Sequence, residues 1–499
     1  MTRNSLERRK VFLRRLASLP VIAFVAALVL LSAACNNVNL AGKGSGSGTV
    51  SLAIGDVLTK SVRSAGEPLR QTLAAGTEYT VKARLSGGHT AETSITVDSG
   101  KLAGAALSFE GIPIGVTVRL DLEVWAGNSL VWIGSTVDDH TVVSGENPLS
   151  VEVGRVSGVL LWDSTSVNIA PYGNYESKTS LLTNGSPDPV WCFDNLGNLY
   201  WYTAGENAVI RSKLQADGTY SALDGNYTGG SDFLAYDNIT DSLYKMLGTE
   251  IIKAEESTGS HLPEEAISPE EVSSPVAFAV HDNIAYIVDV VGENEDGILQ
   301  IIIRNYNLGT SSRLTESSMY QLPPSFGTNP SYQMIYHEGA LYLLLSRVSI
   351  YTMYDTSVPT ESYSLGAVLK INPDTLALDT SFGYQGYLGL ADTSQTISGI
   401  NATDAVTDGT VVYHGPTSSN DASVFYGPQG FVAIMPKKLV IADAGFSVSE
   451  DGNKIALTKK SRIITVDLET LAFETERVED SYYQSEYPSS STSGYEYIK

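Results

Sequence analysis

The chain has 499 residues, 42% of them hydrophobic and 18% charged, with 45 glycines and 27 tyrosines. That is enough apolar material for sizeable cores, and the length as a prior implies roughly two to four domains. The net charge is −24, but six basic side chains and only one acid lie in residues 1–34, so the remainder stands at −29. A surface that acidic repels a phosphate backbone and excludes nucleic acid as a partner class. With only Cys35 and Cys192, a disulfide framework and a cysteine-rich zinc site are excluded as well. Glycine and tyrosine are abundant and long Ala/Leu/Glu/Lys runs are missing, which favours strands and turns over helices.

Residues 1–34 have the layout of an export signal. A basic stretch from Arg3 to Arg15 precedes the apolar run Leu19 to Leu31, which is short for a transmembrane helix. Ser32-Ala33-Ala34 then abuts Cys35. Small residues against a cysteine resemble the bacterial lipobox, here with Ser32 where the family usually has Leu. The resemblance implies cleavage before Cys35, acylation of that residue (palmitate-type chains among them), and a protein exported and held by lipid at a bacterial membrane, facing periplasm or cell surface. Residues 35–48, with Gly42, Gly44, Gly46 and Gly48 among small polar residues, form a flexible tether.

Seven strand patterns follow in residues 49–155, beginning at Thr49–Ile54, Glu78–Leu85 and Thr93–Val97 and continuing through Val116–Trp125 to Leu149–Val153. Turn signals such as Ser86-Gly87-Gly88 and Ala126-Gly127-Asn128 separate them, as in a β-sandwich. Phe109-Glu110-Gly111-Ile112-Pro113-Ile114-Gly115-Val116 resembles a stretch of small immunoglobulin-like and prealbumin-like modules, in which a Pro-Gly turn launches a long strand. That resemblance implies a spacer or adhesion unit.

Residues 156–484 repeat a unit of apolar strand, Asp/Asn/Gly turn and apolar strand. The best copy is Trp191-Cys192-Phe193-Asp194 through Asn198-Leu199-Tyr200-Trp201. Others lie at 234–244, 278–287, 334–343, 405–413 and 446–457. Taking Tyr200, Tyr244, Tyr286, Tyr342, Val412 and Ala456 as equivalent, the spacings are about 44, 42, 56, 70 and 44. Further strands follow, as at Val368–Leu376, Val432–Leu439 and Ile463–Leu471. Four antiparallel strands per unit of about 45 residues make a propeller blade. The Asp194-x-x-Gly197-Asn198-Leu199-Tyr200 core resembles NHL-like propellers, and Leu376–Gly383 resembles a related propeller repeat. The expectation is an all-β chain: a β-sandwich followed by a propeller of about six blades. Gly158–Trp162 is expected to close the ring as the last blade's outer strand, and the Ser/Tyr-rich tail at 485–499 to be disordered.

The loops between second and third strands are expected to lengthen at 290–297, 346–366 and 414–430, raising a crown on one face. The crown gives the candidate binding residues Glu293, Glu295, Asp296, Tyr351, Tyr354, Tyr363, His414 and Tyr426. Long loops on a rigid scaffold suit binding, and tyrosines suit contact with protein or carbohydrate. Glu293-Asn294-Glu295-Asp296-Gly297 offers oxygens for calcium but lacks EF-hand spacing and reads better as a solvated acidic loop; no other cofactor or metal is expected. No HExxH, GxSxG or paired histidines at ligand spacing occur, so no catalytic residue is assigned. The turn acids Asp194, Asp237, Asp282, Asp408 and Asp451 are expected to bond their own turn backbones. A membrane-anchored binding or scaffold protein is the leading reading. The alternative is a propeller hydrolase or lyase with a metal held by three or four converging side chains in the central channel.

Overall fold

A computed structural model describes residues 46–54, 63–64, 67–68, 76–99, 101, 105–162, 166–183, 189–202, 208–221, 225–254, 266–293, 299–317, 319–321, 331–351, 361–383, 386–389, 425, 428–443, 446–451, 454–459, 461–477 and 495–498. These are almost entirely strands. Among the described residues no helix is long and apolar enough to cross a membrane. The expected signal and Cys35 lie outside them.

The first module packs two sheets face to face. Ser47–Ala53 sits between Gly145–Pro148, to which it is parallel, and Ala106–Pro113, to which it is antiparallel. The second sheet runs Val151–Arg155, Ser129–Thr136, Thr117–Ala126, Glu78–Gly87, Ala91–Asp98, with His140–Thr141 also paired to Thr117–Ala126. Alternation dictates the layering: Val50 and Leu52 from one sheet meet Tyr79, Val81, Leu85, Leu120 and Val124 from the other in one core. The Ile114-Gly115 turn, with Gly115 at φ 83°, launches the ten-residue strand Thr117–Ala126.

Among the described residues six sheets that form blades follow, with one further sheet inserted into the last of them. Blade 1 is Val159–Trp162, Ser166–Ala170 and Thr179–Thr183. Blade 2 is Val190–Phe193, Leu199–Tyr202, Ala208–Ser212 and Gly225–Thr228, and blade 3 is Phe233–Asp237, Ser242–Leu247, Glu250–Ala254 and Ala266–Ile267. Blade 4 is Pro275–His281, Ile284–Glu293, Leu299–Asn307 and Ser312–Glu316, with Tyr320–Gln321 paired to its third strand. Blade 5 is Ser331–His337, Ala340–Tyr351, Glu361–Ile371 and Tyr387–Leu388. Blade 6 is Pro428–Met435, Lys438–Asp443, Arg462–Asp467 and Phe473–Arg477.

The packing closes these sheets into a ring. Tyr200 and Val209 of blade 2 meet Leu234 and Leu243 of blade 3. Met246 and Ile251 meet Phe278 and Ile287 of blade 4. Tyr286 and Val288 meet Leu341 and Leu343 of blade 5. Tyr342 and Leu344 meet Leu439 and Ile441 of blade 6. Val440 and Ile463 share a core with Val159 and Ile169 of blade 1 and with Leu199 and Trp201 of blade 2. Successive side chains along a strand therefore serve opposite neighbours. This is why Leu341-Tyr342-Leu343-Leu344-Leu345 reads as an unbroken apolar run rather than as alternation. The fold is a β-propeller, with six blades among the described residues.

Several elements differ from expectation. The strand at 159–162 is not the outer strand of the last blade but begins its own three-stranded sheet. Ser157, just before it, donates its N–H to Ile434 O (2.9 Å), near the end of blade 6's first strand. Blade 1 thus starts where the other first strands end and runs opposite to them. The 405–413 repeat lies outside the described residues. The 446–457 repeat is a hairpin, but it forms a separate sheet inserted between the second and third strands of blade 6. Blade 6 opens instead on Pro428–Met435 and Lys438–Asp443, whose Pro436-Lys437 turn lacks the expected Asp, Asn or Gly; Lys437 itself takes φ 57°. In the tail expected to be disordered, Tyr495–Ile498 pairs with Lys454–Leu457, as its β-favouring Tyr-Glu-Tyr-Ile sequence permits.

The sandwich sits on the face that carries the first-to-second strand turns. Lys437 Nζ donates to Ser135 Oγ (2.9 Å), Arg119 pairs with Glu469 (2.6 Å), and Leu130 N–H donates to Tyr172 O (3.1 Å). The Pro436 ring lies against Gly154 with no room for a side chain there.

Candidate functional site

The turn face is stitched from blade to blade by the side chains that the repeat places there. Asp194 accepts from Leu196 N–H and Asn198 N–H (both 2.9 Å), from Asn198 Nδ2 (2.7 Å) and from the Tyr200 hydroxyl (3.3 Å). Burial pushes its carboxyl up to about 6 against those donors. Asp237 does more than bond its own turn. Besides Ile239 N–H (3.0 Å) and Thr240 Oγ1 (2.8 Å) it accepts Asp282 N–H (3.0 Å) and Asn283 N–H (2.8 Å) from the next blade. Burial opposes its ionisation, but these donors hold it below the usual carboxylate range.

Asp282 and Asn283, at φ 50° and 58°, form the two-residue turn whose positive angles Asn and Asp tolerate best. His281 stacks on Tyr336 of the next blade, ring centroids 3.6 Å apart and nearly parallel. His337, its equivalent one blade on, donates from Nε2 to Met435 O (3.1 Å). Burial lowers both imidazoles and so favours their neutral forms. Glu338 then accepts Lys437 N–H (3.0 Å) from blade 6.

A cavity of about 430 Å³ runs along the axis between the first strands of blades 2 to 6. Those strands run towards the turn face. The opposite end of the cavity is therefore bordered by Trp191, Phe233, Tyr332 and Gln333, and the turn end by Tyr236, His281, Tyr336, Gly154 and Arg155. Trp191 Nε1 donates to Phe431 O (2.9 Å) and Gln333 Oε1 accepts Phe431 N–H (2.6 Å), clamping the backbone of this blade 6 residue on both sides. Cys192 also lines the space, its thiol pushed up by burial and so uncharged. Among the described residues no three His, Cys, Asp or Glu side chains stand close enough to share a metal ion.

The crown residues fall differently. Glu293 is exposed at the end of Ile284–Glu293, paired with Leu299. Tyr351 and Tyr363 occupy strand positions opposite Glu361 and Ser349. Glu295, Asp296, Tyr354, His414 and Tyr426 lie outside the described residues. The segments at 290–297 and 346–366 were expected as loops. Instead their described parts continue the ladders, Val290 pairing with Ile301 and Ser346 through Tyr351 pairing with Gly366 through Glu361. Each of blades 4 and 5 thus extends a hairpin arm on the face opposite the sandwich. The cavity lining was missed because single apolar and aromatic strand residues carry no motif; only the equivalence of inner strands could have indicated it.

A family model described as the TdpA C-terminal domain matches residues 338–492, just under a third of the chain, from the second strand of blade 5 into the tail. No curated protein matches. Among solved structures the chain is similar to TolB from Acinetobacter baumannii, at 10% identity and a TM-score of 0.29, covering 73% of this chain and 77% of that one. It is also similar to a quinonprotein alcohol dehydrogenase-like protein from Bacteroides thetaiotaomicron, at 10% identity and a TM-score of 0.29, covering 82% and 94%. A third is a catalytically inactive virginiamycin B lyase from Staphylococcus aureus, at 12% identity and a TM-score of 0.25, covering 50% and 88%. Scores this low carry no argument, and the propeller rests on its own six sheets.

Proposed function

We propose that the chain is an exported lipoprotein, anchored by acyl chains on Cys35, that serves as a binding or scaffold module through the arm face of its propeller. On this reading the sandwich is an immunoglobulin-like or prealbumin-like spacer at the end of the tether that begins at Cys35, of whose expected residues Ser47 and Gly48 belong to the first strand. The observation that carries the reading is the asymmetry of the propeller. One face is covered by the sandwich, and the other carries the paired arms of blades 4 and 5. Rigid paired strands offer a partner a preformed surface, which reduces the ordering cost of association. Exposed Glu293 and the Tyr351 and Tyr363 positions suit a protein or carbohydrate partner.

The register supplies the test. Val290 faces Ile301 and Ser346 faces Gly366, so an Asn-Gly turn can close either ladder at those pairs and remove its arm, with the loss in blade 4 of the Gln300–Gln321 pair alone. Affinity capture from envelope extract with the intact chain retrieves partners that the double arm-trimmed chain loses. Retrieval of the same proteins by both would contradict an arm-face site.

A further inference from the structure

We propose that the axial cavity is a binding site for a flat, ring-containing small molecule that carries no negative charge and bears a hydrogen-bonding group such as a carbonyl. The site is separate from the arm face and does not depend on the anchor. Its size falls within the range of small-molecule sites. Its walls are rings: Trp191 and Phe233 towards the arm end, and Tyr236 with the stacked His281–Tyr336 pair towards the turn end. Planar faces of this kind favour planar ligands.

Charge decides the rest. Four lining side chains are acidic or strongly basic, and each is already engaged. Asp194 is held by its own turn. Asp232 accepts Gly248 N–H (2.7 Å), and Glu338 accepts Lys437 N–H. Arg155 donates to Gln215 O and lies over the Trp132 ring. The two histidines are driven towards neutrality by burial. An anionic ligand would therefore lose its hydration among three carboxyl groups, with the one lining guanidinium already turned to Gln215 and Trp132. One lining polar atom does await a partner: the Tyr332 hydroxyl is buried and, among the described residues, meets no hydrogen-bonding group. A buried hydroxyl left unsatisfied is costly, and a ligand carbonyl would satisfy it.

The test uses the full chain in detergent and prodan, a neutral naphthalene ketone dye whose emission reports hydrogen bonding to its carbonyl. All variants share the same detergent, so dye taken up by micelles is common to them. One equivalent should bind per chain, and anilinonaphthalene sulfonate, a naphthalene dye carrying a negative charge, should bind at least tenfold more weakly. Val190→Trp narrows the cavity and should cut prodan affinity at least tenfold. Tyr332→Phe, which keeps the ring, should cut it about fivefold and shift the bound emission to the blue. The proposal is overturned if prodan does not bind, or if the sulfonate binds equally well. It is also overturned if Tyr332→Phe leaves both affinity and emission as in wild type, a result that counts even if Val190→Trp fails to fold.

Discussion

Asp194 and Asp237 occupy equivalent turns, yet their carboxyls are pushed in opposite directions: burial outweighs four donors at Asp194, whereas at Asp237 four donors outweigh burial. Asp237 accepts two N–H groups from the neighbouring blade, so it joins two sheets as well as shaping its own turn. Asp237→Ala leaves those buried donors unsatisfied, and a loss of about 2–4 kcal/mol is expected, read as a lower denaturation midpoint. An unchanged midpoint would show that the inter-blade bonds contribute nothing. Asp194 gives a pH signature. Its carboxyl keeps its proton up to about 6 when folded but releases it near 3.9 when unfolded. The stabilisation is therefore complete below about pH 4 and is lost as pH rises to about 6. Relative to Asp194→Asn, wild type should lose up to about 3 kcal/mol between pH 4 and pH 7. A difference that stays flat, or rises, would mean that the four donors keep the carboxylate ionised.

At the scale of elements, the hairpin repeat was legible and its assembly was not. Trp191–Trp201, 234–244, 278–287 and 334–343 each form the expected hairpin, because Asp/Asn/Gly turns between apolar strands encode it locally. Blade 6 escaped the template because Lys437 holds the turn position with φ 57° that Gly or Asn usually fills. Its cost is offset by Glu338 on its N–H and by Ser135 and Glu469 on its Nζ (2.9 and 3.2 Å). Those partners come from another blade and from the sandwich, which no local pattern discloses. The arms were mistaken for loops for a related reason: ladder pairing depends on a partner strand, not on the residues of one segment. The same junction gives a prediction. Gly154→Leu would drive a side chain into the Pro436 ring and should lift the sandwich off the turn face. Hydrogen exchange at the Lys437 turn and around Tyr172 should then rise while blade cores at 341–345 stay protected; protection unchanged at both would contradict a docked sandwich.

For the whole molecule, the propeller closes by side-chain cores, so each inter-blade seam buries several large residues at roughly 1.5–3 kcal/mol apiece. Such a body is rigid enough to present a cavity and two arms in fixed relation, with the sandwich on the reverse side. In the function proposed above, residues 1–34 are an export signal and the segment from Cys35 is a lipid-bearing tether. That anchoring is tested most directly by the intact mass of the mature protein recovered from the membrane fraction. The expected mature chain begins at Cys35, lacks residues 1–34 and carries the added mass of acyl chains on that residue. A mature chain with an unmodified Cys35, or one that retains residues 1–34, would contradict it.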